Sequence, residues 1–226
     1  MNKKKQVRRI FDSISYRYDF LNHLLSGGVD FYWRKKALKL SKINKDSILL
    51  DIACGTGDFA IAARRMGVTK IIGADLSFNM LKLFNQKSDW SKGNLVETVA
   101  EEISFKDNSF TNITVAFGVR NFYNLLEGFK SFHRILKTGG KATILEFRLP
   151  SNSFIKWIYL FYFKNILPFI GNIISKDKEA YTYLPESVDE FDAKVDLKKY
   201  LLEAGFSNVT IQQATFGIVQ IAIAEK

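Results

Sequence analysis

Asp51, Gly55, Thr56, Gly57 and Asp75 are the residues whose types and spacing carry chemistry. The apolar run Ile48-Leu49-Leu50-Asp51-Ile52 closes around an acid and soon breaks into Gly55-Thr56-Gly57-Asp58. A short continuous apolar run reads as a buried parallel strand, and Gly-x-Gly directly after it lets the backbone turn tightly against a ligand before a helix begins. Two ligands satisfy this pattern. Gly55-x-Gly57-x-x-Ala60, with Asp75 further along, meets the loose dinucleotide fingerprint, in which the acid accepts from a pair of ribose hydroxyls. A nicotinamide enzyme also needs a proton-transfer group. The two histidines, His23 and His133, both fall within helical patterns, where a structural role is the simpler reading. S-adenosylmethionine carries no pyrophosphate; its ammonium and sulfonium favour a nearby acid such as Asp51, and its ribose suits Asp75. As a purely structural residue Asp75 would cap a helix, a task that Ser77 can take instead.

The surrounding chain must hold these residues at one sheet edge. Downstream of Gly57 the pattern alternates: helix over 58–66, strand over 70–74, helix over 78–87, strands over 95–99 and 112–116, helix over 125–136, strand over 141–146. With the first strand and two β-rich runs at 207–214 and 217–224, separated by a short turn, the expectation is an α/β fold. It is a doubly wound, mostly parallel seven-stranded sheet finished by a C-terminal antiparallel hairpin, with a further helix over 195–204. Such sheets bind ligands beyond the carboxyl ends of the strands, where strand order reverses, so chemistry should gather after Asp51, Asp75, Ala100 and Ala116. Ahead of the sheet, helical spacing through Phe11, Ile14, Tyr18, Leu21 and Leu25, then Phe31, Trp33, Ala37 and Leu38, predicts two or three helices broken at Ser26-Gly27-Gly28.

The chain reads as one domain, 1–226, divided into an N-terminal helical cap (1–45), a cofactor-binding core (46–150), a helical lid or substrate insertion (151–190) and a last helix with hairpin (191–226). Residues 1–45 carry twelve Lys or Arg against three Asp, nearly all of the net charge of +10. A basic leading segment suits an anionic membrane surface or plain solvation better than nucleic acid, for which uniform basicity is expected. Cys54 is the single cysteine, which excludes an internal disulfide and points to a reducing, cytoplasmic setting; no metal cluster is expected. Neither a secretory signal nor a transit peptide is read at the N-terminus. Residues 153–174 are rich in aromatics, but Lys156, Lys164, Pro168 and Gly171 interrupt them too often for a membrane span. A membrane-surface helix, a lid over an apolar pocket and a buried core helix all fit. Self-association into a homo-oligomer is left open.

The sequence resembles the menaquinone and ubiquinone C-methyltransferases, within the class I S-adenosylmethionine-dependent methyltransferases, nearly end to end. The resemblance runs through Phe11-Asp12-Ser13-Ile14-Ser15-Tyr16-Arg17-Tyr18-Asp19, Asn22, Leu25-Ser26, Trp33, Leu50-Asp51, Gly55–Asp58 and Ala74-Asp75. It continues in Phe117-Gly118-Val119-Arg120-Asn121, Arg134–Lys137, Gly139-Gly140, Leu145-Glu146-Phe147, Tyr183-Leu184-Pro185-Glu186-Ser187 and Gly205-Phe206. It implies methylation of a ring carbon of a polyprenylated quinol, with demethylmenaquinol favoured over the benzoquinol precursor of ubiquinone. Another small-molecule methyltransferase on the same scaffold and a NAD-dependent dehydrogenase are the competing readings. The resemblance implies cofactor contacts from Asp51, Gly55, Thr56, Gly57, Asp75, Leu76, Val99, Ala100 and Ala116. Val99 stands where the family often has a polar residue and Ala116 where it often has serine, so backbone groups are expected to serve there. Leu21, Asp30, Thr138 and Arg148 also depart from the family pattern. A quinol carbon becomes nucleophilic once a ring hydroxyl loses its proton; Arg120 is expected to stabilise that oxyanion, Asn121 to bond the same oxygen, and Tyr18 or Asp19 to close the site and relay a proton. Residues 153–170 then cover the prenyl tail or rest on the membrane from which it emerges.

Overall fold

The first strand, β1 (Ile48–Ile52), lies inside the sheet; it is apolar on both faces because helices cover both, and all but its first residue are buried. Fully burying side chains such as Leu49 and Leu50 contributes about 1.5–3 kcal/mol each, so this pentapeptide anchors the sheet. The computed structural model describes residues 3–166 and 178–226. Around β1 lie β2 (Lys70–Asp75), β3 (Leu95–Glu97), β4 (Phe110–Ala116), β5 (Leu136–Phe147), β6 (Asn208–Ala214) and β7 (Val219–Glu225), in the order β3-β2-β1-β4-β5-β7-β6. β1 to β5 run parallel; β7 is antiparallel to both β5 and β6, which is the expected hairpin. Strand order reverses between β1 and β4, the switch point where a crevice must open.

Eight α-helices are described. On one face α5 (Leu125–Ile135) and α8 (Leu197–Glu203) bury Phe129, Phe132, Ile135, Leu197 and Leu201 against the sheet. On the other, α2 (Val29–Leu40), α3 (Asp58–Arg65) and α4 (Phe78–Lys87) bury Trp33, Leu38, Phe59, Ala63 and Phe84. The break between α1 (Lys3–Leu25) and α2 falls at the glycine pair, with Gly27 and Gly28 at φ +58° and +76°. The last two helices are α6 (Ser153–Phe161) and α7 (Lys178–Lys194).

Among the differences from the sequence reading, those at β3, β5 and α7 bear on the site. β3 stops at Glu97, because Val99 leads straight into a 3-10 turn over Ala100–Glu102 that brings both residues to the sheet edge. β5 begins at Leu136, because Phe110 pairs with Leu136 across a bulge before the regular register resumes at Asn112 and Lys141. A helix, α7, fills the stretch around Tyr183 to Ser187 and carries Pro185 within it. In the aromatic segment, the Asn152 side chain caps α6 by accepting from the Phe154 and Ile155 N–H groups, and a π turn over Tyr162–Ile166 follows. Pro168, Phe169, Ile170 and Gly171 lie outside the described residues. α6 is neither wholly a core helix nor wholly exposed. Tyr159 is buried, and with Phe163 it packs on Ile10 of α1, whereas Phe154, Trp157, Ile158 and Phe161 face outward.

Candidate active site

A cleft of about 730 Å³, open solvent at its mouth included, lies over the switch point. Its floor is Ile52 and Ala53 at the end of β1 and Ala116 and Phe117 at the end of β4. Ala53 and Phe117 both hold positive φ, +51° and +58°, a left-handed conformation that costs non-glycine residues energy and clusters at functional sites. Gly118 follows Phe117 and touches Ala53 so closely that a Cβ there would come within 2.6 Å of the Ala53 methyl. The Gly118 backbone is therefore packed directly against the Ala53 methyl.

The expected cofactor residues divide into two connected groups. Gly55, Asp75, Leu76, Val99, Ala100 and Ala116 line the cleft. Asp51 and Thr56 line a smaller recess of about 320 Å³, which shares Ala53, Gly55 and Ala116 with the cleft. Gly57 supports the turn from behind: at φ +88° it abuts the Phe84 ring, where a Cβ would sit 2.3 Å from ring carbons. Asp75 lines the cleft and accepts the Gly55 N–H on one oxygen and the Ser77 N–H on the other, both at 2.8 Å; a carboxylate has about four acceptor sites, so it retains capacity for a ligand hydroxyl. Burial pushes its carboxyl up to about 6 against the pull of these N–H groups. Ser77, not Asp75, caps α4.

Asp51 is fully buried; it accepts from the Thr114 hydroxyl at 2.7 Å and the Ala60 N–H at 3.1 Å, tying β1 to β4 and to the start of α3. Burial raises its carboxyl to about 7.

The roof is α1, and spacing alone did not single out its part in the cleft walls. Lys4, Val7, Arg8 and Phe11 line the cleft. The helix is strapped along the sheet edge: Lys3 Nζ donates to the Arg120 and Phe122 carbonyls, and Arg8 pairs with Glu97 at 2.6 Å. Ser77 donates to Asp12, Thr56 donates to Asp19, and Lys87 pairs with Asp19. Asp12 and Asp19 of the leading motif are thus the acids that fasten α1 to the loops after β2 and β1. The side chain of Tyr18 lies outside the described residues.

Arg120 does not line the cleft. It is 8 % exposed, its guanidinium pairs with Glu146 at 2.8 Å and also donates to the Phe117 carbonyl and the Ser187 hydroxyl, and it lies over the Phe147 ring. Glu146 accepts in addition from the Arg120 and Phe147 N–H groups. The arginine therefore fastens the Phe117–Asn121 turn to β5 and α7, behind the cleft wall. Asn121 does line the cleft; its Oδ1 accepts from the Tyr183 hydroxyl at 2.8 Å, which leaves its N–H₂ to donate. Burial raises Tyr183, so this phenol stays protonated at neutral pH.

Both histidines have structural settings. His133 packs edge-on to Phe206, and burial lowers its pKa. His23 stacks on Phe31 and joins Asp30 at 2.8 Å. His23, Asp30 and Asp58 form one carboxylate–histidine group among the described residues, but Arg34 pairs with both acids and Lys87 with Asp58, so cations of the chain already face these carboxylates.

A sheet of this order, with a glycine turn after β1 and an acid closing β2, defines a class I methyltransferase fold. Among solved structures, an S-adenosylmethionine-dependent methyltransferase from Thermotoga maritima superposes with a TM-score of 0.68 at 17% identity, over 96% of this chain and 99% of that one. The chain belongs to the ubiE/COQ5 methyltransferase family, whose model matches residues 1–226. A demethylmenaquinone methyltransferase from Chlorobaculum tepidum is 41% identical over 227 residues, covering 99% of this chain and 93% of its own. A ubiquinone/menaquinone biosynthesis C-methyltransferase from Geotalea daltonii is 41% identical over 230 residues, covering 99% and 97%. Methyl transfer thereby displaces the dehydrogenase reading of the glycine loop.

Proposed function

We propose that this chain methylates a ring carbon of a polyprenylated quinol, with demethylmenaquinol as acceptor and S-adenosylmethionine as donor. The observation that carries this reading is the two-part cleft at the switch point of a chain that matches the quinone methyltransferase family from end to end. The residues present suit the donor: apolar walls at Leu76, Val99 and Ala100 for a base, free lone pairs on Asp75 for the ribose hydroxyls, and a polar recess past Gly55 for an amino-acid end. When bound, S-adenosylmethionine supplies an electrophilic methyl group on a sulfonium.

The chain's own residues then position and polarise the acceptor. Asn121, held by Tyr183, presents N–H donors at the cleft wall to the acceptor oxygen whose charge grows as the ring carbon attacks. Arg120 acts through position, fixing the Phe117–Asn121 turn by its pair with Glu146, while α1 roofs the site and excludes water. Tyr18 remains a proposed contributor from α1. In this reading residues 1–45 are the cap, 46–150 the cofactor-binding core, 151–190 the lid and 191–226 the closing helix and hairpin.

The outward face of α6 supports a contact with the membrane that holds the prenyl tail. Phe154, Trp157 and Phe161 stack along the helix and are 69%, 63% and 51% exposed, an apolar stripe at helical spacing. No helix among the described residues is long and apolar enough to cross a membrane; the contact proposed for α6 is a peripheral one, at the cytoplasmic face. The name of the Geotalea relative covers ubiquinone as well as menaquinone biosynthesis, which supports a second acceptor, the benzoquinol precursor of ubiquinone. Methyl transfer from labelled donor to demethylmenaquinol, the benzoquinol precursor and polar catechols separates these readings. Preference for demethylmenaquinol is expected; transfer to polar acceptors alone overturns the proposal.

A further inference from the structure

The recess past Gly55 contains a cation that neither the glycine loop nor the motif spacing assigns. Arg34, from α2, is 5% exposed and lines the recess beside Asp51, Thr56 and Asp58. One end of its guanidinium donates to Asp30, which is itself held by the Ser26 hydroxyl at 2.7 Å and by His23. Its other nitrogens are not spent in this way. Nη2 stands 3.8 Å from Asp58, an ion pair too long for a hydrogen bond, and Nε has no hydrogen-bond partner among the described residues. A buried guanidinium with unused donors is costly, and a planar fork of N–H groups matches a carboxylate. Asp51, in the same recess, supplies the acid that an ammonium needs.

We propose that Arg34 receives the carboxylate of the donor's amino-acid end, with Asp51 facing its ammonium. The inference rests on S-adenosylmethionine being the donor. The recess holds a cation and two acids where a zwitterion goes, whereas the larger cleft offers Leu76, Val99 and Ala100 beside Asp75 where adenosine goes. Asp30 is a positioning residue that holds the guanidinium toward the recess. Phe117, whose ring lies 5.6 Å below the guanidinium, holds it from the other side.

Calorimetry with S-adenosylmethionine and decarboxylated S-adenosylmethionine, on the wild type and on Arg34→Met, tests this. The wild type is expected to prefer the intact donor by roughly 10- to 100-fold, the range of a charge-assisted hydrogen bond. Arg34→Met is expected to bind the two alike, at the wild-type level for the decarboxylated compound. Undiminished preference in the variant overturns the role of Arg34. Failure of the wild type to bind either compound overturns the donor assignment instead. If Arg34→Met does not fold, the wild type decides: the Arg34 Nε–H NMR signal, assigned by its loss in Arg34→Lys, is expected to move with S-adenosylhomocysteine and not with 5′-methylthioadenosine. Equal movement, or none with either, overturns the proposal.

Discussion

Replacing Glu146 by glutamine tests whether Arg120 is a fastening or a catalytic group. The substitution keeps the shape and the acceptor oxygen but removes the charge. Arg120 and Glu146 are 2.8 Å apart with side chains 5% and 0% exposed, so the arginine is left as a buried cation without its counter-charge. Breaking a buried pair in this way costs about 3–5 kcal/mol, a large part of the roughly 5–15 kcal/mol that holds a domain together. For a chain of this size each kcal/mol lowers Tm by about 2–4 °C, so a fall of roughly 6–20 °C is expected in thermal unfolding followed by circular dichroism. Arg120→Met removes the cation as well, and the double variant is expected to recover most of the loss, since replacing both partners of a buried pair is often close to neutral. A coupling below about 0.5 kcal/mol in the double-mutant cycle refutes the fastening role. A folded double variant that binds donor normally yet loses more than about 100-fold in turnover, a loss of about 2.7 kcal/mol in transition-state stabilisation, places Arg120 at the reacting oxygen and refutes the geometry argued above.

Gly57→Ala is expected to abolish donor binding, because its φ of +88° and a Cβ 2.3 Å from the Phe84 ring force the loop to move; wild-type affinity by calorimetry contradicts this. Donor affinity should fall as pH drops below about 6, where Asp75 takes a proton, and Asp75→Asn should flatten that dependence; a pH-independent wild type counts against the ribose role. The stability of the ligand-free protein has the opposite sign. Asp51 and Asp75 are raised from 3.8 to about 7 and about 6, so the folded state holds protons that the unfolded chain releases. Their contribution is full below pH ~4 and is lost as pH rises through 6–7, which denaturant titrations between pH 5 and 8 would register. Trp157→Ser with Phe161→Ser should reduce co-sedimentation with anionic vesicles at least ~10-fold while leaving thermal stability within a degree or two, since both side chains are exposed; unchanged co-sedimentation rules out α6 as the contact.

The sequence by itself determined the sheet, the hairpin, the switch-point cleft and the cofactor loop. Each follows from local signals: a continuous apolar run means a strand covered on both faces, Gly55 and Gly57 mark a turn requiring positive φ, and Asp75 closes the next strand. Gly55, Asp75, Leu76, Val99, Ala100 and Ala116 accordingly meet in one cleft as expected. The tertiary structure decided what pairs with what. Arg120 lies within three residues of the cleft wall in sequence, but its side chain is claimed by Glu146 and Ser187, residues distant in the chain, and no local pattern encodes that choice. Asn121 gains its orientation from Tyr183, on a helix of the 151–190 insertion whose bounds and pairing partner no local pattern gave. Arg34 sits in an amphipathic pattern where arginine reads as solvated; only the packing of α2 against the glycine loop buries it beside Asp51 and Asp58. Local propensity and periodicity report the covering of faces, whereas the direction of a long charged side chain is set by desolvation and counter-charges that come from elsewhere in the chain.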